Sequence, residues 1–374
     1  LYCFYLIVGA GLAGPSAGYE LAARSRVILL EREAQPGYHS TGRSAAMFIE
    51  SYGNVPVRAI TAASRAFFES PPAGFTESPL LSPRGVLYIA RKDQRAELER
   101  NFAELSREGP HIKRVGRDKA LEMFPLLNPA YVEDSFIDAD AMDMDVHAIH
   151  QGFLKGLRAR GGRVVTGAEL VRAERRGGAW RVTTSAGEFA APVLVNAAGA
   201  WADQVAKIAG ARAVGLVPKR RTAFIFDAPA GAKVDPWPLI ADAGEKFYFK
   251  PEAGKLLGSP ADETPVEPQD IQPEELDLAI AADRIEAAIT FKIARIQRRW
   301  AGLRSFVPDK TMVVGFAPDA EGFFWLAGQG GYGIQTAPAM GRIAAALARG
   351  EALPEDVAKR GVTAAHLAPQ RLWR

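Results

Sequence analysis

The run VGAGLAGPSAGYELA, Val8 to Ala22, constrains this chain more than any other stretch. It sets Gly9, Gly11 and Gly14 in G-x-G-x-x-G spacing. A short apolar, β-prone stretch, Phe4 to Val8, precedes it. An alanine-rich helical pattern runs on to Ala23, and RVILLE follows as a second strand. Strand, glycine turn, helix, strand is the frame in which this motif binds a dinucleotide. Gly9 permits the tight turn, Gly11 lets a pyrophosphate approach the backbone, and Gly14 lets helix and strand pack closely. The helix N-terminus offers unpaired N–H groups and a partial positive charge to phosphates. Glu31 ends the second strand, 17 residues after Gly14, where an acid grips a ribose diol. Pro15 departs from the usual pattern, but a first helical turn tolerates a missing N–H.

Composition narrows what this frame serves. The 374 residues are 48% hydrophobic, enough for two packed domains. Forty-six basic residues nearly balance 43 acidic ones, and no basic tract stands out, so nucleic acid is not an expected partner. A single cysteine, Cys3, excludes an internal disulfide framework and a cysteine-rich metal site, and suits a reducing compartment. Leu1 to Val8 is apolar but lacks a basic leader and a small-residue cleavage site, so it reads as a buried strand and not a signal peptide. No stretch approaches the ~20 apolar residues of a spanning helix. The expectation is a cytoplasmic protein, or one peripheral to a membrane for electron transfer.

The first motif alone leaves NAD and FAD open. Three later segments favour FAD. REAQPGYHSTGRSAAM, Arg32 to Met47, is polar and aperiodic and follows the ribose-binding acid, offering Ser40, Thr41, Arg43 and Ser44 to phosphate and ring. PVLVNAAGAWAD, Pro192 to Asp203, is a buried strand ending in small residues, which leaves room for a flat cofactor at the sheet's carboxyl edge. FFWLAGQGGYGIQTAPAMGRIAAAL, Phe323 to Leu347, runs strand, glycine-rich turn, helix. That helix N-terminus suits negative charge on a reduced isoalloxazine ring.

With EREAQPGYHSTGRSAA, VLVNAAGAW, PKRRTAFIF, WAGLRSFV and EGFFWLAGQGGYGIQT in view, the chain resembles the D-amino-acid oxidase family of flavoproteins over nearly its whole length, and within it the D-arginine dehydrogenase branch. The resemblance implies an α/β fold: a Rossmann-type FAD domain with a second, α+β substrate domain on a mixed, largely antiparallel sheet. It divides the chain into FAD-binding pieces at 1–56, 144–216 and 300–374, and substrate pieces at 57–143 and 217–299. It implies noncovalent FAD, since Cys3 sits in the first strand. The cofactor contacts it implies are Gly9, Gly11, Gly14, Glu31, Arg32, Ser40, Arg43, Ser44, Ala45, Ala46, Leu170, Ala198, Gly199, Trp201, Gly302, Gly330, Gly331, Gly333, Ile334, Gln335 and Thr336.

Oxidation of an amino acid at Cα needs a clamped carboxylate, a neutral amine and a Cα–H aimed at flavin N5. Arginine suits the clamp because its planar fork bonds a carboxylate bidentately. Arg221 and Arg304 each stand in an otherwise apolar, strand-like run. By pattern alone each reads equally as an edge-strand arginine or half of an internal ion pair. The resemblance makes both carboxylate-binding residues, with Tyr248 bonding the carboxylate and Tyr52 closing the pocket from a mobile loop. It adds Met47, Ile49, Val86, Gly331 and Gln335 to the pocket.

The arginine-specific branch carries a histidine, a threonine and a glutamate where this chain has Met47, Ile49 and Val86. Valine cannot pair a guanidinium, and an unpaired buried cation costs several kcal/mol. The expectation is therefore oxidative deamination of neutral, hydrophobic or aromatic D-amino acids to 2-oxo acid and ammonia. Glu50, new in the same loop, is the one counter-signal. The alternatives are a cationic D-amino acid, or glycine, sarcosine or a 2-hydroxy acid on the same fold; outside enzymes, it is a non-catalytic flavin-binding protein. No general base is evident, and the electron acceptor, quinone or dioxygen, is not readable. The acidic run DADAMDMDVH fails the calcium-loop pattern at Met142 and lacks its central glycine, so no metal is expected. Asp145 reads as an N-cap, and His147 and His150 as packing or surface groups.

Overall fold

The computed structural model describes residues 1–373. Its principal elements are β1 (Tyr5–Val8), α1 (Ala13–Ala22), β2 (Val27–Leu30), α2 (Val55–Glu69), β3 (Val86–Ala90), β4 (Asp134–Asp138), α3 (Val146–Ala159), β5 (Arg163–Val165), β6 (Val193–Asn196), β7 (Val217–Phe226), β8 (Leu239–Asp242), β9 (Tyr248–Glu252), β10 (Lys255–Ser259), β11 (Ile296–Phe306), β12 (Val313–Phe316), β13 (Phe323–Ala327) and α4 (Gly333–Ala348).

The first sheet runs β12-β13-β6-β1-β2-β5, parallel except for β12. All four residues of β1 and of β2 are buried, as strands covered on both faces must be. One face packs Tyr5, Ile7 and Leu29 against the inner sides of α1, α2, α3 and α4. The other packs Leu6, Val8 and Trp325 against Trp180 and Phe189 of a three-stranded antiparallel sheet and Val205 of the helix Ala202–Ala209. The glycine spacing at the top of β1 has a steric cause. Gly9 has φ +105°, and a Cβ there would lie 2.3 Å from the Ala197 carbonyl oxygen. A Cβ on Gly14 would lie 1.9 Å from the Gly9 carbonyl. The helix therefore begins directly over the ends of β1 and β6. Asp145 caps α3, its carboxylate accepting from Ala148 N–H at 2.8 Å.

The second sheet has nine strands, running from Thr264–Pro265 through β7-β10-β9-β8-β3-β4 to Ile112–Arg114, with β11 along the other edge of β7. Only β3 and β8 pair in parallel. Residues alternate faces along each strand. Leu87, Ile89, Phe224, Phe226 and Phe249 face the helix Glu275–Ala288 and form one core. Val86, Tyr88, Leu239, Ala241 and Tyr248 face the first sheet and surround an open space. This is the expected α/β architecture with a mixed, largely antiparallel second sheet.

Two segments sit differently from the sequence-based division. Residues 300–306, grouped there with the FAD pieces, pair along β7 as part of β11. The helix α2, grouped with the substrate pieces, buries Val57, Ile60 and Ala63 in the core beneath α4. No helix among the described residues is long and apolar enough to cross a membrane.

Candidate active site

A cavity of about 680 Å³ lies between the carboxyl edge of the first sheet and the open face of the second. Ligands in open α/β sheets bind at this edge. At one end, Gly9, Gly11, Leu12 and Ala13 line it, so α1 points its N-terminus into it. Glu31 stands beside them. Its carboxylate accepts from Ala10 N–H at 2.9 Å and Glu33 N–H at 3.0 Å. Burial pushes the Glu31 carboxyl above the usual carboxylate range, against these two bonds. Arg32 lies over the Trp201 ring, 5.0 Å from its centroid, and His39 packs on the same indole at 4.6 Å. Leu170, Ala198 and Gly199 complete this end.

The middle of the cavity is walled by Ser40, Thr41, Arg43, Ser44, Ala45, Ala46 and Gly302. Here the Arg43 and Ser40 side chains, both in the lining, are also held by protein groups. The Arg43 guanidinium is committed to Asp270 and donates to the Ile271 carbonyl at 2.9 Å and the Ala301 carbonyl at 3.2 Å. It offers the cavity its backbone and stem. Its carbonyl is held by Trp300 Nε1–H at 2.9 Å. The Ser40 hydroxyl donates to the Leu303 carbonyl at 2.7 Å, tying the same segment to β11. Ser44, Ala45 and Ala46 line the wall. Thr41 accepts from Leu12 N–H at 3.0 Å, closing the loop over the glycine turn.

At the far end, α4 starts at Gly333, and Gly330, Gly331, Ile334 and Gln335 border the space. Gln335 pins the strand entering the pocket, accepting from Ile49 N–H at 3.2 Å and donating to Thr61 at 2.9 Å. Thr336 does not reach the cavity: it is fully buried, and its hydroxyl donates to the Tyr332 carbonyl one turn back. Gly14 also lies outside the lining, acting through the helix–turn approach above.

Arg221 and Arg304 meet here. In the β7–β11 pairing Arg221 stands opposite Gly302, and Arg304 is two residues further along the same face. The missing side chain at Gly302 keeps the space between them open. Arg304 donates to the Tyr52 hydroxyl at 3.2 Å and lies against Gly331, whose added Cβ would come within 3.0 Å of Nη1. Arg221 donates to the Asp262 carbonyl at 2.8 Å and Glu263 at 3.2 Å. Burial pushes the Tyr248 phenol up, but Arg221 and Arg304 outweigh it and leave it below an ordinary tyrosine. Tyr52 packs on Tyr332 at 5.1 Å. All four residues that the sequence marks as catalytic therefore border one end of one cavity.

Beyond them Met47, Ile49, Val86, Leu239, Ala241 and Tyr88 form an apolar slot. Glu50, the counter-signal, is paired with Arg65 at 2.6 Å. Glu245 and Lys246, one of each sign, sit exposed on the turn at the rim. Sequence reasoning missed Tyr88, Leu239 and Ala241. The signal was the period of two: Tyr88 follows Val86 by two residues and so shares its face. Of the acidic run, Asp138 accepts from the Ser51 hydroxyl at 2.7 Å, and Asp143 pairs Arg84 and Lys250.

Cys3 is buried, its thiol pushed up to about 12 by burial, and it is not among the cavity residues. His150 has a more specific role than packing. Its Nε2 lies 2.9 Å from the Ala10 carbonyl, and its ring abuts Gly37, so it braces the glycine turn against the 37–42 loop. Burial holds it below the ordinary histidine value, against the bond to Ala10. The unfolded chain therefore takes up a proton that the folded one resists. This part of the stability is present above the unfolded pKa of about 6.5 and is lost as pH falls through it. The melting temperature of wild type is expected to fall between pH 7 and 5 more steeply than that of His150→Gln, measured by calorimetry. Parallel curves would contradict this.

Comparison with known proteins finds one family model and, among solved structures, the same fold. The family model described as FAD dependent oxidoreductase (DAO) matches residues 5–347. The uncharacterized oxidoreductase YurR of Bacillus subtilis is 22% identical over 370 residues, covering 94% of this chain and 96% of its own. Human mitochondrial dimethylglycine dehydrogenase is 26% identical over 363 residues, covering 90% of this chain and 41% of its own. Among solved structures, glycine oxidase from Geobacillus kaustophilus superposes with a TM-score of 0.83 at 22% identity, over 94% of this chain and 95% of that one. L-proline dehydrogenase from P. horikoshii gives 0.83 at 20% identity, over 99% and 98%.

Proposed function

We propose a function from one premise: the chain belongs to the FAD dependent oxidoreductase (DAO) family, and its cofactor is FAD. The residues present fit that group. The Gly9 approach to Ala197 leaves no room for a side chain at the turn that would receive the pyrophosphate. Two helix N-termini open into one cavity, where they would face the phosphates and Glu31 would hold a ribose. FAD supplies the two-electron acceptor for a hydride leaving the substrate.

The substrate is a neutral α-amino acid with a hydrophobic or aromatic side chain, of D configuration as the resemblance implies. Arg304 and Arg221 fork onto its carboxylate, and Tyr248 bonds the same group. Tyr52, packed at a tilt on Tyr332 and bonded to Arg304, closes over it and excludes water. The amine enters neutral, having lost its proton to solvent, because Met47 occupies the place of a base. Loss of hydride from Cα leaves an imino acid, which water converts to a 2-oxo acid and ammonia.

The observation that carries the substrate preference is the side-chain slot: Met47, Val86 and Leu239 are each less than a tenth exposed, and Glu50 is already paired with Arg65. A guanidinium placed in this slot would lack a partner, at a cost of several kcal/mol. Ammonia release from a panel of D- and L-amino acids with an artificial acceptor tests this. The kcat/KM for D-leucine and D-phenylalanine should exceed that for D-arginine by at least about tenfold, the factor for 1.4 kcal/mol. D-Arginine as the better substrate would overturn the preference. Glycine and sarcosine, weak here, would lead if the slot had no role.

A further inference from the structure

The floor of the slot contains a polar group that the reaction does not use. Tyr88 stands opposite Ala241, and Ala241 stands opposite Tyr248, in one row across β3, β8 and β9. Three strands at about 4.8 Å spacing put the two tyrosine backbones about 10 Å apart. Between them the floor is a methyl group. Tyr248 marks the carboxylate end of this row, beside Arg221 at 6.0 Å. Tyr88 marks the other.

The Tyr88 ring is held in place. It stacks on Phe136, its neighbour on β4, with centroids 4.5 Å apart and planes within 17°. Among the described residues its hydroxyl has no hydrogen-bond partner, and the residue borders the cavity. Burial and the negative charge of Asp138 push the phenol up, so it stays protonated and can donate. The residue is half-buried, so this donor opens into the cavity, where a ligand's acceptor can bond it.

We propose that Tyr88 is a specificity-determining residue whose hydroxyl bonds a polar group at the far end of the substrate side chain, selecting a ring or chain that is apolar along Ala241 and hydrogen-bonding at its tip. This rests on the amino-acid reading above. The matched pair that probes it is D-tyrosine and D-phenylalanine, which differ only in that tip. The wild-type FAD-loaded enzyme should favour tyrosine over phenylalanine by about tenfold in kcat/KM, the size of one net hydrogen bond. In Tyr88→Phe, which keeps the ring and its stacking, the ratio should fall to about one, with the flavin spectrum retained. A second variant, Ala241→Leu, raises the floor and should reduce both substrates relative to D-alanine. A ratio that Tyr88→Phe leaves unchanged, or a wild type that prefers phenylalanine, overturns the role of Tyr88 alone. Turnover of neither amino acid by the wild type overturns this role together with the reading it rests on.

Discussion

Replacing Arg304 with leucine should lower kcat/KM for the amino-acid substrate by on the order of 10³-fold, while the protein keeps its FAD. Truncating one member of a buried, hydrogen-bonded charge pair costs roughly 3–5 kcal/mol, and each 1.4 kcal/mol is tenfold. Three features put Arg304 in that class. It shares a face with Arg221 through the β7–β11 register, donates to Tyr52 at 3.2 Å, and abuts Gly331 at the start of α4. Removing it takes away a tether of Tyr52 and, in the proposed function, a carboxylate ligand. Lysine should not restore the loss, because a point charge lacks the planar fork. Flavin content and melting temperature measured alongside separate this from misfolding. A leucine variant within tenfold of wild type would remove Arg304 from the clamp.

The second large effect concerns cofactor retention. Gly9→Ala should yield protein without bound flavin, or no soluble protein, whereas Gly178→Ala should purify with full flavin. Both glycines have positive φ, +105° and +78°. They differ in surroundings. The new Cβ at Gly9 meets the Ala197 carbonyl at 2.3 Å, and nothing lies within 4 Å of one at Gly178. The clash cannot relax cheaply, because Ala197 N–H is bonded to the Val8 carbonyl at 2.9 Å and β1 and β6 are paired along their length. Gly178→Ala carries only the backbone penalty of roughly 1–2 kcal/mol, a shift of about 1–3 °C in a chain of this size. Flavin-to-protein absorbance ratios after purification decide it. Full flavin in Gly9→Ala would mean that the turn opens more readily than its packing allows.

Much of this is legible in the sequence itself. The glycine triad, the strand after it and Glu31 form a local unit, so spacing alone carries their arrangement. The strands of the second sheet announced themselves through alternation, as in RGVLYIAR and KFYFKPE. What was not legible depends on partners remote in sequence. Arg43 sits in a run rich in phosphate-binding types, but Asp270, 227 positions away, takes its guanidinium. Thr336 belongs to the glycine-rich turn by sequence, and the first turn of α4 rotates it into the core. Arg304 reads as part of the closing Rossmann piece, and only its register with β7 assigns it to the substrate sheet. Tyr88 was missed because either face of a buried strand reads alike until its neighbours are known. Val86, two residues before it, was singled out, and the same alternation reaches Tyr88.

The proposed function rests on a single cavity that would hold the flavin and present to it an amino acid anchored by Arg221 and Arg304. Mixing the FAD-loaded protein with neutral D-amino acids in the absence of oxygen tests it most directly, with the visible flavin absorbance as the readout. The account predicts loss of that absorbance with one equivalent of D-phenylalanine or D-leucine, and its return when an acceptor is admitted. A flavin spectrum unchanged by every α-amino acid of either hand would contradict it.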